Sequence, residues 1–303
     1  MPAGPLHPST VSVVIPAFNS APYIRQALDS VLAQTSRVFE IIVVDGGSRD
    51  GTREVVAAYG EPVQLVDQTK TGRKGIAGGR NAGIDAATGE WVAFLDSDDW
   101  WDPGKLAQQF DTLRECPEAS LCYTGVCLVW DGSGERQVYR PRDPAEIWPR
   151  LRWNNEIGTS TVVVRRSVLR EDGGFREDLA SCEDWELWVR LRLRRTFVCC
   201  PAPLSFYRVV PQSTSHGLQR HLDAIPQISG STMVSGLSGW HRWTVERRLW
   251  ANQLYGAMVI ARENGGSQAA TLLLRSLAQW PFPTFLPKRY KALLSMLVRR
   301  VTA

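Results

Sequence analysis

Apolar segments and helical periods alternate through the first hundred residues, and this alternation constrains the fold more than any other feature of the chain. Short segments that are apolar on both faces, as buried strands are, occur at 11–15, 39–44, 63–66 and 91–95. Segments with apolar side chains at helical spacing occur between them, at 24–32, 52–59 and 76–87. Strands that alternate with helices in this way predict a parallel sheet covered by helices.

Polar residues follow each predicted strand at its carboxyl end. The first strand ends at Pro16 and Asn19, the second at Asp45, the third at Asp67 and the fourth at Asp96. Single polar residues at such positions often cap strands or begin helices. Four of them on one edge favour a ligand site, because ligands of parallel sheets bind beyond the carboxyl ends of the strands.

The fourth strand runs into F-L-D-S-D-D (94–99), which has three carboxylates within four positions. Carboxylates so close together repel one another and resist desolvation, so a positive partner is expected. Asp96 and Asp98 form a D-x-D pair. Mg²⁺ or Mn²⁺ binds through one or two carboxylates and completes its shell with water and phosphate oxygens. We therefore expect a divalent cation at this strand end.

A basic, glycine-rich segment, R-K-G-I-A-G-G-R-N-A-G (73–83), lies between the third and fourth strands. Small residues let the backbone approach a ligand, and arginine makes bidentate contacts with phosphate. A solvated loop that opens a helix is the alternative interpretation. Together with the carboxylates, the segment indicates a site for a metal ion and a phosphorylated ligand.

The pattern changes after residue 100. Further strands are predicted at 121–130, 161–164, 197–200 and 204–209, a helix at 184–194 and a loop at 139–153. After His216 the sequence is helical, and from residue 217 onward it has 11 basic and 3 acidic residues, against 24 and 28 before that point. This change in charge predicts two domains, 9–216 and 217–303.

In this order and spacing, the motifs resemble those of family 2 glycosyltransferases, which have the GT-A fold. The resemblance covers residues 11–216. Its segments are V-S-V-V-I-P-A-F-N (11–19), V-V-D-G-G-S-R-D-G-T (43–52), G-G-R-N-A-G (78–83), F-L-D-S-D-D (94–99), G-G-F (173–175) and E-D-W-E-L-W-V-R-L (183–191). It implies an α/β fold, a Rossmann-like three-layer α/β/α sandwich with a mainly parallel central sheet, to which this chain adds a helical C-terminal extension.

The resemblance also implies roles for individual residues. Those implied to bind the nucleotide-sugar are Pro16, Ala17, Asn19, Asp45, Asp67, Arg73, Arg80, Asn81, Asp96 and Ser97. Mg²⁺ or Mn²⁺ would be held by Asp98, Asp96 and His216. Asp184 would be the catalytic base, with Glu183 beside it. Many relatives carry a second aspartate where this chain has Gly46. The residues that recognise the nucleotide base are therefore only partly assigned, although a UDP-sugar is the favoured donor.

The implied activity is inverting, metal-dependent transfer of a sugar to a hydroxyl group of a glycan or lipid-linked acceptor, in cell-surface or exopolysaccharide synthesis. A non-catalytic nucleotide-sugar or glycan-binding module would share the fold, but it would not need the Glu183-Asp184 pair. An aspartyl phosphohydrolase has its D-x-D after the first strand. A dinucleotide oxidoreductase needs G-x-G-x-x-G after strand one, where this chain has P-A-F-N-S.

The sequence gives weaker indications of location and partners. With neither a signal-like N-terminus nor an apolar window of about 18 residues, we expect a cytoplasmic protein. The six cysteines have no C-x-x-C pair and are expected to be reduced. Residues 288–301 form an amphipathic segment that could lie at the inner membrane face, pack on the catalytic domain or join a second subunit. A nucleic-acid partner is disfavoured because the basic residues of 288–301 alternate with aliphatic side chains and not with aromatic side chains that could stack on bases.

Overall fold

The computed structural model describes residues 10–179, 181–210, 218–229, 232–263, 267–282 and 287–301. These residues form two compact units. One lies within Met1–Trp148, Glu156–Asp178 and Glu183–Val210, and the other within Pro149–Asn155, Leu179–Cys182 and Pro211–Ala303. The predicted boundary at 216/217 falls outside the described residues and stays a prediction.

The first unit is built on a single sheet, to which nine strands of the described residues belong. The strands are β1 (Val11–Ala17), β2 (Glu40–Asp45), β3 (Val63–Asp67), β4 (Trp91–Phe94), β5 (Trp100–Trp101), β6 (Ala119–Trp130), β7 (Arg136–Tyr139), β8 (Val163–Arg165) and β9 (Thr196–Val209). Their order is β3-β2-β1-β4-β8-β6-β9-β5, and β7 pairs with β6. The pairs β1–β2, β2–β3 and β1–β4 are parallel, as is β6–β9, whereas β8 runs antiparallel to β4.

Helices follow most of the strands of the first unit and make up most of the second. They are α1 (Ile24–Leu32), α2 (Thr52–Ala57), α3 (Gly75–Ala86), α4 (Lys105–Glu115), α5 (Pro144–Leu151), α6 (Arg166–Glu171), α7 (Glu183–Arg192), α8 (Leu218–Ser229), α9 (Gly239–Glu263), α10 (Ala269–Gln279) and α11 (Pro287–Val301). Short 3-10 turns occur at 68–70, 159–161 and 232–234. The first four predicted strands and three predicted helices are confirmed to within two residues.

Two predictions for residues beyond 100 were wrong. The segment 139–153 is not a loop throughout, because Asp143 accepts the backbone N–H of Ala145 at 2.8 Å and Pro144 begins α5, where a proline is tolerated. The two short strands at 197–200 and 204–209 are one strand, β9, which runs through Pro201 and Pro203 with shifts of register against β6.

The first unit has a tightly packed core. Every residue of β2 is buried, as expected of a strand covered on both faces. Helix α3 lies so close to β1 that a Cβ atom at Gly83 would fall 2.2 Å from Val14 Cγ1. Glycine at this position therefore lets α3 carry its polar side chains to the end of the sheet.

The second unit has a core of its own. Leu254, Met258 and Leu273 are buried between α9 and α10, and Ala292 and Leu293 of α11 pack against them. The predicted apolar stripe of α11 is thus divided, because Leu293 is partly buried whereas Leu294 is 62% exposed. None of the helices in the described ranges combines the length and the apolar character needed to cross a bilayer.

Candidate active site

The carboxyl ends of β3, β2, β1 and β4 meet at one edge of the sheet. Pro16 and Ala17 are the last residues of β1, and Ala17 pairs with Asp45 at the end of β2. Asp45 in turn pairs with Asp67 at the end of β3. On the other side of β1, parallel β4 ends two residues before Asp96. Parallel pairing therefore brings the strand-end residues together, as the sequence predicts.

Asp45 is fully buried and holds the turn that follows β2. Its carboxylate accepts the backbone N–H groups of Gly47 at 3.1 Å and Ser48 at 3.2 Å. The Arg53 guanidinium donates to Asp45 at 3.2 Å and to Asp67 at 3.3 Å. Because the Arg53 side chain is 38% exposed and that of Asp45 is not exposed at all, Arg53 is the member of this pair that can reach a ligand.

Asn19 and Ser97 are fixed by hydrogen bonds across the same edge. Asn19 has a φ of 50°, in the left-handed region that asparagine adopts more readily than most residues. Its Oδ1 accepts the backbone N–H of Arg49 at 3.0 Å. Ser97 Oγ lies 2.8 Å from Ser20 Oγ, so the D-S-D turn is tied to the residue that follows Asn19.

Arg80 links the two acidic motifs. Its side chain is 3% exposed, and its Nη2 donates to Asp96 Oδ1 at 2.7 Å while its Nη1 donates to Glu183 Oε1 at 2.6 Å. Its Cζ lies 5.4 Å from the centroid of the Phe175 ring. Burial alone would lower the pKa of Arg80, but the carboxylates of Asp96, Glu183 and Asp184 outweigh burial and raise it. A permanent cation therefore stands between D-x-D and the E-D pair.

Asn81 and Arg73 hold the segment around Phe175. Asn81 accepts the Phe175 backbone N–H and donates to the Phe175 carbonyl, each at 2.8 Å. Arg73 pairs with Asp85 at 2.8 Å and also contacts Glu177. Both side chains are thus engaged within the protein, and direct contact with a nucleotide-sugar stays a prediction for them.

Asp99 anchors the D-x-D turn to the end of β9. It is 1% exposed, and its carboxylate accepts the Ser160 hydroxyl at 2.6 Å and the backbone N–H of Arg208 at 3.0 Å. Ser160 Oγ also accepts the backbone N–H of Asp96 at 3.1 Å. Burial, together with the charges of Asp96 and Asp98, raises the pKa of Asp99 well above its ordinary value. Asp99 is therefore a structural support of the turn.

Asp98 is suited to a cation. Burial and, to a smaller extent, repulsion from Asp96 raise the pKa of Asp98 to about 6, although Arg208 partly opposes the shift. A divalent ion would relieve this repulsion, and two carboxylates are enough for Mg²⁺ or Mn²⁺ when water and phosphate complete the shell. Within the described ranges no group of three or more His, Cys, Asp or Glu side chains is arranged to hold a metal ion. His216 lies outside those ranges.

Asp184 lies in the first turn of α7, next to Glu183. Its carboxylate accepts the Thr159 hydroxyl at 3.0 Å and the backbone N–H of Trp185 at 2.6 Å. Burial and, to a smaller extent, the negative charge of Glu183 raise the pKa of Asp184 to about 6, although Arg80 opposes the shift. Such a carboxylate is ionised at neutral pH and accepts a proton more readily than an ordinary aspartate.

Sequence reasoning assigned no role to several residues of the site. They are Ser20, Arg53, Ser160 and Arg208. Arg208 is the second-last residue of β9, and its guanidinium lies 4.8 Å from the Trp100 ring and 3.0 Å from Asp131. Because Arg208 lies within a strand and not after one, the signal that indicated Asp96 does not reveal it.

Comparison with known proteins identifies the family. The model described as "Glycosyl transferase family 2" matches residues 12–172, more than half of the chain. The chain belongs to glycosyl transferase family 2. One family relative, the amylovoran biosynthesis glycosyltransferase AmsB of Erwinia amylovora, is 34% identical over 66% of this chain and 69% of AmsB. The chain spans 58% of the length of two further curated relatives, each 29% identical to it.

Solved structures show the fold of this family 2 chain. The mannosyltransferase PcManGT of Pyrobaculum calidifontis, in complex with GDP-Man and Mn²⁺, has a TM-score of 0.62 and 22% identity over 94% of this chain and 84% of its own. S. aureus TarS in complex with UDP-GlcNAc also has a TM-score of 0.62, with 20% identity over 89% of this chain and 87% of its own. The predicted GT-A fold with a helical C-terminal extension is confirmed.

Proposed function

We propose that this chain is an inverting glycosyltransferase of the hexosyltransferase type. It moves a sugar from a nucleotide-diphospho-sugar to a hydroxyl group of a glycan or a lipid-linked acceptor. The observation that carries this proposal is the convergence of Asp96 and Glu183 on the guanidinium of Arg80, with Asp184 directly after Glu183. This convergence supports a single site in which D-x-D and the base serve one reaction.

Asp184 acts as the general base. It takes the proton of the acceptor hydroxyl as that oxygen bonds to the anomeric carbon and the bond from this carbon to the diphosphate oxygen breaks. A pKa of about 6 leaves Asp184 ionised at neutral pH. A positioned base of this kind contributes roughly 10²–10⁴ in rate. Because the base and the leaving group lie on opposite faces of the sugar, one displacement inverts the anomeric centre.

Asp98 and Asp96 would hold Mg²⁺ or Mn²⁺. The bound ion would neutralise the charge that develops on the leaving diphosphate. Arg80 positions Asp96 through the bond at 2.7 Å, and Asp99 fixes the turn between Asp96 and Asp98. The Mn²⁺ in the PcManGT structure supports a divalent cation in this fold.

The donor is proposed to be a UDP-sugar, bound at the edge formed by Pro16, Ala17, Asn19, Asp45 and Asp67. The UDP-GlcNAc bound to TarS supports this choice. Because PcManGT binds GDP-Man instead, the identity of the nucleotide, UDP or GDP, is the first property to test. Arg53, which ties the ends of β2 and β3, adds a cation to this edge.

We propose a role in cell-surface or exopolysaccharide synthesis, which the name of AmsB supports. We further propose a cytoplasmic protein with peripheral contact at the inner membrane face through residues 288–301. Lys288, Lys291 and Leu294 of α11 are exposed and available for that contact.

The test is release of nucleotide diphosphate from a panel of UDP- and GDP-sugars, with Mn²⁺, Mg²⁺ or a chelator, water serving as acceptor where no glycan is added. Asp184→Asn is expected to lower release at least about 10²-fold while donor affinity, measured by calorimetry, changes less than about twofold. Asp111→Asn is the matched control, because Asp111 is an exposed aspartate of α4 that pairs with Arg114 of the same helix.

Each alternative has its own outcome. Tight donor binding with no release under any condition would indicate a non-catalytic binding module. Orthophosphate release from phosphomonoesters would indicate a phosphohydrolase. Full activity of Asp184→Asn would exclude this residue as the base, and full activity in the presence of the chelator would exclude the metal.

A further inference from the structure

Exposed aromatic side chains cluster where α9 begins and α10 ends. Trp240 is 69% exposed, Phe282 52% and Trp243 38%. The rings of Trp240 and Trp243 stack with centroids 4.6 Å apart, and the row continues to Trp280 at 6.2 Å and from Trp280 to Phe282 at 5.2 Å. Trp240, Trp243 and Phe282 are called the aromatic patch below. Large apolar side chains that remain together in water usually mark an interaction surface.

Buried hydrogen bonds hold the base of the aromatic patch in place. Arg289 is fully buried, and its Nη2 donates to the Trp280 carbonyl at 2.6 Å while its Nη1 donates to the Ser276 carbonyl at 2.8 Å. The Arg248 guanidinium lies 4.8 Å from the Trp280 ring. Arg289 and Arg248 of the second unit thus hold residues 280–282, the segment that carries Phe282, in place.

The charge around the aromatic patch is mainly positive. His241 and Arg242 lie between the two stacked tryptophans in sequence and are exposed, and the Arg247 guanidinium lies 5.6 Å from the Trp243 ring. Glu246, the acidic residue of this part of α9, already pairs with Arg242 at 2.9 Å. Residues 217–303 as a whole contain 11 basic and 3 acidic residues.

We propose that the aromatic patch docks on an anionic lipid surface. Tryptophan side chains lie preferentially at the headgroup level of a bilayer, between the apolar acyl chains and water. Neighbouring arginines gain from the negative surface potential of anionic lipids, by about 1 kcal/mol each. Trp240 and Trp243, near the start of α9, present such rings. The Arg247 guanidinium beside Trp243 has no carboxylate partner among the described residues, whereas Arg242 is paired with Glu246.

A site for an acceptor glycan would instead need polar groups free to bond to sugar hydroxyls. The polar groups that line the cavity beside Trp243 already bond within the unit, Glu246 to Arg242 at 2.9 Å and Arg247 to Gln279 at 2.8 Å.

This proposal goes beyond the proposed transfer reaction and does not depend on which sugar is moved. It also differs from contact through α11, because it places the start of α9 and Phe282, which follows α10, against the lipid. The two surfaces can be separated by variants, since Trp240 lies on α9 and Leu294 on α11.

The experiment is flotation of the full chain with vesicles of phosphatidylcholine, alone or mixed with phosphatidylglycerol. We expect binding to the mixed vesicles that weakens as salt is raised. Trp240→Ala/Phe282→Ala is expected to lower the partition coefficient at least about tenfold, and Arg242→Glu by about tenfold. Leu274→Ala, which removes another exposed apolar side chain of the same unit, should change it less than about twofold.

Several results would overturn the proposal. The wild-type chain could fail to bind anionic vesicles, or Trp240→Ala/Phe282→Ala could bind them as well as the wild type. Vesicle binding that is lost in Leu294→Asp but kept in Trp240→Ala/Phe282→Ala would assign the contact to α11. A double variant that binds vesicles normally but needs more soluble acceptor glycan would assign the patch to the glycan instead. Trp240→Tyr, which keeps an interfacial ring, should retain binding, and unfolding curves of all variants check that the fold is intact. Activity on a soluble acceptor should be unaffected, so failure here is distinct from failure of the proposed reaction.

Discussion

Arg80 and Glu183 form an ion pair at 2.6 Å although 103 positions separate them in the sequence. Only 3% of the Arg80 side chain and 9% of the Glu183 side chain are exposed. The same guanidinium bonds to Asp96 at 2.7 Å. One buried cation therefore joins α3, the end of β4 and the start of α7, and the positions of both acidic motifs depend on it.

Replacement of Arg80 should destabilise the protein and change the site. Arg80→Met leaves Asp96 and Glu183 without their common partner, so we expect the free energy of unfolding to fall by about 3–5 kcal/mol in urea titrations. Because Arg80 lowers the pKa of Asp184, its loss should also move the acid limb of the pH–rate profile to higher pH. Arg80→Lys, which keeps the charge but not the fork of donors, should give a smaller effect of the same sign.

The control for this substitution is Arg73→Met. Arg73 is 34% exposed and pairs with Asp85, which is 60% exposed, so its loss should change the free energy of unfolding by less than about 1 kcal/mol. If Arg80→Met unfolded at the same urea concentration as the wild type, the proposed linkage of the two motifs would be wrong.

Activity should depend on the ionisation of Asp184. With a pKa of about 6, kcat/KM should rise with pH up to about 6 and then level off, falling about tenfold per pH unit below that point. The Thr159 hydroxyl stabilises the ionised form, so Thr159→Val should shift the acid limb upward. Thr161→Val is the control, because that hydroxyl donates to the Gly158 carbonyl and not to Asp184. A profile that stayed flat through pH 6 would contradict the assignment.

The strands of the parallel half of the sheet could be predicted because their signal is local. A run of mainly apolar residues defines each strand, and parallel pairing then fixes where its last residue lies. The position of Asp45 and Asp67 at one edge could therefore be predicted from the sequence.

Other parts of the site depend on contacts that no local pattern encodes. Asp99 bonds to Ser160, 61 positions away, and to the backbone of Arg208, 109 positions away. Asn81 bonds to Phe175, 94 positions away. A Cβ atom on Gly174 would fall 2.5 Å from Asn81 Oδ1, which gives the glycine of G-G-F a physical reason that appears only in the folded chain.

Ser160 should control the affinity of the D-x-D turn for metal. Ser160→Ala removes a donor to buried Asp99 and an acceptor for the backbone N–H of Asp96, so we expect the free energy of unfolding to fall by about 1–3 kcal/mol. The Mn²⁺ concentration that gives half-maximal activity should rise, because the carboxylate of Asp98 is less well positioned. Ser205→Ala is the control: Ser205 is equally buried and donates to the Ser160 carbonyl, but it contacts neither carboxylate. An equal change in metal dependence for both variants would contradict this role.

Lys105 lies in the core of the first unit, and among the residues that the structure describes no carboxylate pairs with its ammonium group. It is fully buried, its Nζ donates to Gln109 Oε1 at 2.7 Å, and it lies 4.0 Å from the centroid of the Trp101 ring. Burial lowers the pKa of Lys105 to about 7. A lysine in the unfolded chain keeps a pKa of about 10.4, so the two states bind different numbers of protons between these values.

This difference predicts how stability changes with pH. Between about pH 7 and pH 10 the unfolded chain keeps the Lys105 proton and the folded chain releases it, so the contribution of this group to stability rises with pH. Below pH 7 Lys105 is protonated in both states, and its destabilising effect is then complete. That effect is at most about 5 kcal/mol, and the attraction of the ammonium group to the Trp101 ring reduces it. Lys105→Met should remove this rise. The difference in free energy of unfolding between the variant and the wild type, followed by urea titration at successive pH values, should therefore shrink as pH rises. Lys74→Met, at an exposed lysine, should give a difference that is small at every pH. A constant difference for Lys105→Met would show that Lys105 keeps an ordinary pKa in the folded protein.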